Sequence, residues 1–187
     1  MLFCLSGDEN MGSQKVLKLK IACVDTCFIE GDFIKLARDY KQAKTTKKKN
    51  YQIEIKPHKR LKEMLKSKVI LYITLITKYQ ILEKLIFSEN LSLVEARRIY
   101  YDILAKHKNL LEIESSTKII LTHDLINRVL AKLKKKIELH DILNIEIARK
   151  ASMPIITSET RKIDCWKAIY NEVLSQEEAW KLFRTKI

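Results

Sequence analysis

Three acidic residues stand at the ends of apolar segments, where their oxygen atoms could bind a metal ion. Asp25 follows the apolar run IACV, Asp141 stands in the opening turn of the amphipathic segment LHDILNIEIA, and Glu159 comes two residues after the run PIIT. A carboxylate just past an apolar strand lies at the carboxyl edge of a sheet, where open α/β folds place their ligands. Ionised carboxylate oxygens are the ligands that Mg²⁺ and Mn²⁺ take. The three acids therefore predict a metal site suited to hydrolytic chemistry.

Each of these acids also has an ordinary structural interpretation. Asp25 could cap the next helix or form an Asx-turn, and Asp141 could simply cap the helix that it opens. At that place Asp141 lies near the positive end of the helix macrodipole, which favours an ionised side chain. Asp164, five residues after Glu159, is an alternative ligand to it. The residue types alone leave these interpretations open.

A fourth position of this kind carries an amide. Gln80 ends the passage TLITKYQ, where the apolar run VILYI gives way to a predicted helix capped by Thr77. The neutral carbonyl oxygen of a glutamine is a weak metal ligand and cannot act as a base. Glu83, three residues later, lies on a neighbouring part of the same helical face and could supply the missing charge. A surface glutamate paired with a lysine is the other interpretation of Glu83.

The elements that must position these side chains alternate between strands and helices. Apolar runs predict strands at residues 19–29, 69–74, 110–113 or 118–121, 154–157 and 168–173, with a further short strand at 51–55. Helical spacing predicts helices around 33–40, 57–65, 77–86, 95–104, 122–133 and 139–148, and capping boxes at Ser92-x-x-Glu95 and Ser175-x-x-Glu178 open two helices. This alternation is typical of a doubly wound α/β domain with a mainly parallel sheet of about four to five strands.

Length and composition agree with one such domain. The chain has 187 residues, 47% of them hydrophobic, with only 3 glycines and 2 prolines, which argues against a turn-rich sandwich or barrel. We expect a disordered leader at residues 1–17 and a single domain at 18–187. No apolar stretch approaches the ~18 residues that span a bilayer, and the N-terminus lacks the basic start of a signal peptide. The four cysteines lack zinc-ligand spacing, so we expect a cytoplasmic protein with reduced thiols.

The charge distribution predicts a polyanionic partner. The net charge is +13, and the basic insertion at residues 41–68 holds eleven lysines and arginines against two acids. Such a patch lowers the free energy of bringing a phosphate backbone close, with little sequence preference. A solvated surface is the alternative interpretation of a charge run. The residues expected to contact nucleic acid are Lys47, Lys48, Lys49, Lys59 and Arg60.

In their order and in their strand and helix contexts, the four passages resemble the motifs of the PIN-domain (VapC-like) ribonuclease family. The resemblance covers about residues 18–173. Gln80 stands where the family has a glutamate, and Glu159 stands where the family usually has the aspartate of a Thr-x-Asp pattern. The resemblance implies one or two Mg²⁺ or Mn²⁺ ions, with Asp25 as the central ligand, Asp141 and Glu159 completing the acidic pocket, and Gln80 orienting a ligand or a water molecule.

The activity that this resemblance implies is metal-dependent hydrolysis of RNA, by a toxin-type or RNA-processing enzyme. It also implies a homodimer and leaves room for an antitoxin or another protein partner. A second hypothesis is a degenerate PIN-fold protein that binds RNA or a protein without cutting, because Gln80 and Glu159 both depart from the family pattern. A third, a small DNA-binding regulator, lacks the helix-turn-helix, zinc-finger and basic-zipper patterns that would support it.

Overall fold

The computed structural model describes residues 21–45, 69–113, Asn127 and 137–184. Five strands and six helices lie in this part of the chain, and a π-helical turn at Lys84–Ser88 extends the second helix. In chain order the elements are β1 (Ile21–Val24), α1 (Thr26–Thr45), β2 (Ile70–Ile73), α2 (Leu75–Glu83), α3 (Leu93–Lys106), β3 (Leu110–Glu112), α4 (Leu139–Lys150), β4 (Ile155–Thr157), α5 (Ile163–Lys167), β5 (Val173–Ser175) and α6 (Gln176–Arg184).

The five strands form one parallel sheet in the order β3-β2-β1-β4-β5. The last residue of β1, Val24, stands in register with Ile73 of β2 on one side and Ile156 of β4 on the other. The chain first builds outward from β1 through β2 to β3, and then returns to the other side of β1 to build β4 and β5. The carboxyl ends of β1 and β4 therefore flank the topological switch point, where doubly wound sheets bind ligands.

Side chains of successive strand residues enter two separate cores, one on each face of the sheet. The first core also contains apolar residues of α1, α2, α3 and α6, and the second contains those of α4 and α5. The strand residues of the first core are Ala22, Val24, Leu71, Ile73, Leu110, Ile156 and Leu174, and those of the second are Cys23, Tyr72, Ile155 and Val173. Helices on both faces of a parallel sheet confirm the predicted doubly wound α/β fold.

The first apolar run divides into a strand and a helix, and the predicted strand at 19–29 is therefore too long. Among its described residues β1 ends at Val24, and α1 begins at Thr26. Phe28, Ile29 and Phe33 are buried from the helix. Because α1 packs on the sheet, its first turn is apolar like the strand before it. The sequence from residue 19 to 29 therefore shows no boundary between strand and helix.

Thr74, and not the predicted Thr77, is the N-cap of α2. The Thr74 hydroxyl oxygen accepts a hydrogen bond from the Thr77 backbone N–H at 3.1 Å, so α2 begins one turn earlier than predicted. The two predicted capping boxes are confirmed. Ser92 and Glu95 exchange backbone and side-chain hydrogen bonds at the start of α3, and Ser175 and Glu178 do so at the start of α6.

The C-terminal third differs from the sequence prediction in two elements, a displaced strand and a helix that was not predicted. The strand predicted at 168–173 is instead β5 at Val173–Ser175, and the preceding residues form α5 and a turn. The predicted leader, the strand at 51–55, the helix at 57–65, the strand at 118–121 and nearly all of the helix at 122–133 lie outside the described residues. Among the helices that are described, none has both the length and the apolar character needed to cross a membrane.

Candidate functional site

A cleft of about 200 Å³ opens at the carboxyl edge of the sheet, beside the ends of β1 and β4. Asp25, Gln80, Asp141 and Glu159, the four residues at the predicted motif positions, all line it. Eight further residues complete the lining: Thr26, Cys27, Glu30, Lys84, Glu138, His140, Lys162 and Trp166. The four predicted positions alone are spread over 134 positions of the sequence, from Asp25 to Glu159, and the fold brings them together.

The two alternative ligands that the sequence suggested are placed differently. Glu83 and Asp164 are both exposed, and neither is among the residues that line the cleft. Glu83 is the last residue of α2, about one turn beyond Gln80. The predicted RNA-binding residues Lys47, Lys48, Lys49, Lys59 and Arg60 lie outside the described residues.

Asp25 is held at the end of β1 with only 5% of its surface exposed. Its backbone N–H donates to the carbonyl oxygen of Ile156 at 2.9 Å, which ties the end of β1 to β4. Its carboxylate accepts hydrogen bonds from Asn144 Nδ2 at 3.3 Å, from Thr157 Oγ1 at 3.2 Å and from Cys27 Sγ at 2.8 Å. Three donors from different parts of the fold fix this carboxylate in one orientation before any ligand binds.

The thiol of Cys27 acts as a hydrogen-bond donor and not as a nucleophile. Burial raises the pKa of Cys27 to about 12, and the negative charge of Asp25 adds to the effect. The thiol therefore keeps its proton at neutral pH. Cys27 Sγ also accepts from the Ser158 backbone N–H at 3.3 Å, so it links Asp25 to the segment that follows β4.

Asn144 is the fully buried partner that the sequence analysis missed. It lies three residues after Asp141 on α4, on the same side of the helix. While its Nδ2 donates to Asp25, its Oδ1 accepts from the hydroxyl of Thr74, the N-cap of α2. The hydroxyl of Thr77 donates to the Val24 carbonyl oxygen at 3.1 Å. This buried network joins β1, α2 and α4 behind the cleft.

Gln80 reaches the cleft from α2 and is held by the first residue of α1. The hydroxyl of Thr26 donates a hydrogen bond to Gln80 Oε1. One lone pair of the only Gln80 oxygen is thereby used, and the second remains for a weak ligand contact. Gln80 is thus suited to orient a ligand or a water molecule and not to supply charge.

Glu159 approaches the cleft from the segment after β4 and is partly buried. Its backbone N–H donates to Thr157 Oγ1 at 3.0 Å, and the same threonine hydroxyl donates to Asp25. Thr157 itself is buried at the end of β4. One threonine therefore connects the local backbone of Glu159 to the carboxylate of Asp25, across the switch point of the sheet.

Asp141 belongs to a group of potential metal ligands at the start of α4. His140 Nε2 lies 2.9 Å from Glu138 Oε2 and 3.3 Å from Asp141 Oδ1. One ligand atom from each of these three residues lies within 4.8 Å of the other two. Asp141 also accepts from the Glu138 backbone N–H at 3.3 Å in a reciprocal capping arrangement. The group could bind a metal ion, and Asp141 caps the helix at the same time.

The electrostatics of Asp141 favour a bound cation. Burial raises the pKa of this carboxyl above its ordinary value, and the nearby charge of Asp25 raises it further, whereas Lys162 and His140 lower it. The net shift is upward, so the positive charges already present do not offset burial and repulsion. Two neighbouring buried carboxylates with hard oxygen atoms are the donor set that a divalent cation would stabilise.

Lys162 is a second residue that the sequence analysis missed. It stands just before α5, and its Nζ lies 3.2 Å from Glu138 Oε1 and 3.4 Å from Asp141 Oδ2. A second lysine of the cleft, Lys84, pairs with Glu30. Helical spacing from Asp141 could have pointed to Asn144, but no local signal links Lys162 to residues more than twenty positions earlier.

No protein-family model matches the chain, and no curated protein is significantly similar to it.

Proposed function

We propose that this protein is a divalent-metal-dependent endoribonuclease of the PIN type, which hydrolyses RNA phosphodiester bonds in a toxin-type or RNA-processing role. The observation that carries the proposal is the convergence of Asp25, Asp141 and Glu159 on one cleft at the switch point of a parallel sheet. Each of these acids follows a different strand or opens a different helix. A purely structural role for each would not require that they share a cleft.

The donor set fits one or two ions such as Mg²⁺ or Mn²⁺. Asp25, Asp141 and Glu159 would hold the metal, since all three are acids that line the same cleft. A bound ion of this kind lowers the pKa of a water molecule and stabilises negative charge on the leaving 3′ oxygen. Asn144 and Thr157 keep the Asp25 carboxylate oriented, so that little rearrangement is needed when the ligand arrives.

RNA is the proposed substrate because of the resemblance and the charge of the chain. A nuclease must hold a polyanion beside an acidic pocket, and a net charge of +13 offsets that repulsion. The basic insertion at residues 41–68 would hold the backbone. The proposal includes a cytoplasmic location and a homodimer, with an antitoxin or another protein as a partner, as the resemblance implies.

The second candidate function is binding of RNA or a protein without cleavage. Two contacts favour it: Thr26 already engages the Gln80 oxygen, and Lys162 already contacts the Asp141 carboxylate. Both contacts occupy groups that a metal site would use. An amide in place of an acid also removes one negative charge from the pocket, which lowers the affinity for a divalent cation.

Cleavage of a mixed pool of structured and single-stranded RNA tests the proposed function. Wild type is compared with Asp141→Asn, and with Asp102→Asn as the matched control, because Asp102 is exposed on α3 and is not among the residues that line the cleft. We expect cutting in Mg²⁺ or Mn²⁺ that stops in EDTA, is lost in Asp141→Asn and persists in Asp102→Asn. If wild type binds the RNA but leaves it intact in both Mg²⁺ and Mn²⁺, the second function is favoured.

Gln80→Glu separates a weakened enzyme from a protein that does not cut. Restoring an acid to the cleft should tighten metal binding and raise metal-dependent turnover by about tenfold, the effect of about 1.4 kcal/mol on the barrier. The control is Gln42→Glu, which adds the same charge at an exposed position of α1. Turnover that is equal in wild type and Gln80→Glu would contradict the weakened enzyme and favour the second function.

A further inference from the structure

Lys162 contacts the same carboxylates that could bind a metal ion. Its Nζ lies between Asp141 Oδ2, at 3.4 Å, and Glu138 Oε1, at 3.2 Å. Both acids belong to the three-residue group of potential ligands at the start of α4. An ammonium group at hydrogen-bond distance from two carboxylates provides the charge that a cation would otherwise provide. A divalent ion that bound these oxygens would meet the ammonium of Lys162 there.

Both oxygens of Asp141 are already engaged in this arrangement. Oδ1 faces His140, and Oδ2 faces Lys162 and the Glu138 backbone N–H. A carboxylate has about four lone-pair positions and these contacts use three of them, so a metal ion that binds both oxygens of Asp141 replaces at least one contact. The lysine contact is the one expected to yield, because the ammonium repels the incoming cation and stands on a flexible four-carbon stem. The Glu138 N–H is fixed by the helix start.

Trp166 is a buried lining residue of the cleft next to Lys162. It lies one helical turn after Lys162, and its backbone N–H donates to the Lys162 carbonyl oxygen at 3.0 Å. Its side chain is 1% exposed and lines the cleft, and its indole Nε1 has no hydrogen-bond partner among the described residues. An ammonium and an indole N–H are both donors only, and phosphate oxygens are acceptors.

We propose that Lys162 has two successive roles in the cleft, on the basis of the proposed function. Without metal, its ammonium forms ion pairs with the carboxylates of Asp141 and Glu138. When a divalent cation binds these carboxylates, Lys162 leaves them and binds a phosphate oxygen of the RNA. Lys162 is thus both a competitor of the metal and a substrate-binding residue.

Calorimetric titration with Mn²⁺ tests the first role. Lys162→Met and Lys162→Gln remove the ammonium, and Gln keeps a donor for Asp141 in case Met destabilises the fold. Lys84→Met is the matched control, because Lys84 lines the same cleft but pairs with Glu30. We expect both Lys162 variants to bind Mn²⁺ about tenfold more tightly than wild type, the order of one charged hydrogen bond. An equal gain in Mn²⁺ affinity in Lys84→Met, or no gain in Mn²⁺ affinity in the Lys162 variants, would overturn the proposed competition between Lys162 and the metal.

RNA binding with and without Ca²⁺ tests the second role, with the RNA checked for cleavage in the same samples. In EDTA the carboxylates hold the lysine, so Lys162→Met should weaken RNA binding no more than Lys84→Met does. In Ca²⁺ the lysine is free, and Lys162→Met should weaken RNA binding about tenfold, the loss of one charged contact. Equal losses in EDTA and Ca²⁺ would overturn the second role.

The outcomes separate this inference from the proposed function. A wild type that cuts RNA, but whose Mn²⁺ and RNA affinities do not respond to Lys162→Met, would overturn the inference and leave the nuclease function intact. RNA that is never cut, together with tighter Mn²⁺ binding by the Lys162 variants, would overturn the nuclease function and support the competition.

Discussion

Asn144 is one of the three residues that orient the carboxylate of Asp25. It is fully buried, and its amide both donates to Asp25 and accepts from Thr74. A buried carboxylate needs such donors, because an ionised group without them costs several kcal/mol. The same side chain therefore supports the fold and prepares the cleft.

Asn144→Ala is expected to destabilise the protein and weaken its cleft together. The substitution leaves Asp25 and Thr74 each short of a buried hydrogen-bond partner, which should lower the free energy of unfolding by about 2 kcal/mol or more. Urea unfolding measures this change. Asn171→Ala is the control, because Asn171 is exposed in a turn, and it should change stability by no more than about 0.5 kcal/mol. Equal stabilities of the two variants would contradict the structural role of Asn144.

At the scale of single residues, the sequence was informative about acids and amides that stand at the ends of strands or near the starts of helices. Asp25, Asp141, Glu159 and Gln80 all line one cleft. Such residues can be found because an acid or amide interrupts an apolar segment and stands out against it. Lys162 could not be found in this way, because it is an ordinary lysine in a polar stretch, and only the fold brings it to Glu138 and Asp141.

The helix starts were largely predictable because capping is local. Ser92 with Glu95, and Ser175 with Glu178, are separated by three residues and satisfy each other's backbone groups without help from the rest of the fold. The predicted start of α2 was wrong because two threonines, Thr74 and Thr77, could each cap the same helix end. Thr74 acts as the cap, and Thr77 instead donates to β1, a contact with Val24 that no local pattern encodes.

The capping box of α6 should make the free energy of unfolding depend on pH in the acidic range. The ammonium of Lys167 and the backbone N–H of Ser175 lower the pKa of Glu178 to about 2. Because the folded pKa is below the unfolded value of about 4.3, the stabilisation is present above pH ~4.3 and is lost as the pH falls toward 2. Glu178→Gln should therefore be less stable than wild type at pH 7 and equally stable near pH 2.

Urea unfolding at the two pH values measures this effect. Glu178 is exposed, so screening by water limits the difference at pH 7 to about 0.5 kcal/mol. Glu83→Gln, an exposed substitution at the end of α2, is the control for loss of one surface acid. A difference in the free energy of unfolding between wild type and Glu178→Gln that is the same at pH 2 and pH 7 would show that the charge of Glu178 does not cause it.

The whole molecule places β1 at the centre of the sheet and so creates the switch point beside Asp25. The alternation of strands and helices predicted the doubly wound class, because each element has its own hydrophobic period. The order β3-β2-β1-β4-β5 was not predicted. It is decided by pairing between residues far apart in the chain, such as Cys23 with Ile155, which leaves no local trace in the sequence.

The charge of the whole chain should make RNA binding strongly dependent on salt. Replacing Lys47, Lys48 and Lys49 by alanine should weaken RNA binding and lower the slope of log affinity against log salt by about two, since each contact with a single-stranded backbone contributes about 0.7. Binding measured across a salt series tests this. The control is the triple substitution of exposed Lys35, Lys108 and Lys150, which removes equal charge. Identical slopes for the two triple variants would contradict a specific role for the basic insertion.

The most direct test of the nuclease proposal is the chemistry of the RNA ends that the protein produces with Mn²⁺. Hydrolysis that breaks the bond between phosphorus and the 3′ oxygen leaves a 5′-phosphate and a 3′-hydroxyl, whereas attack by the RNA 2′-hydroxyl leaves a cyclic phosphate. We predict 5′-phosphate and 3′-hydroxyl ends with wild type and Asp102→Asn, and no products with Asp141→Asn. Cyclic phosphate ends, or cutting that survives in Asp141→Asn, would contradict a metal-dependent nuclease built on this cleft.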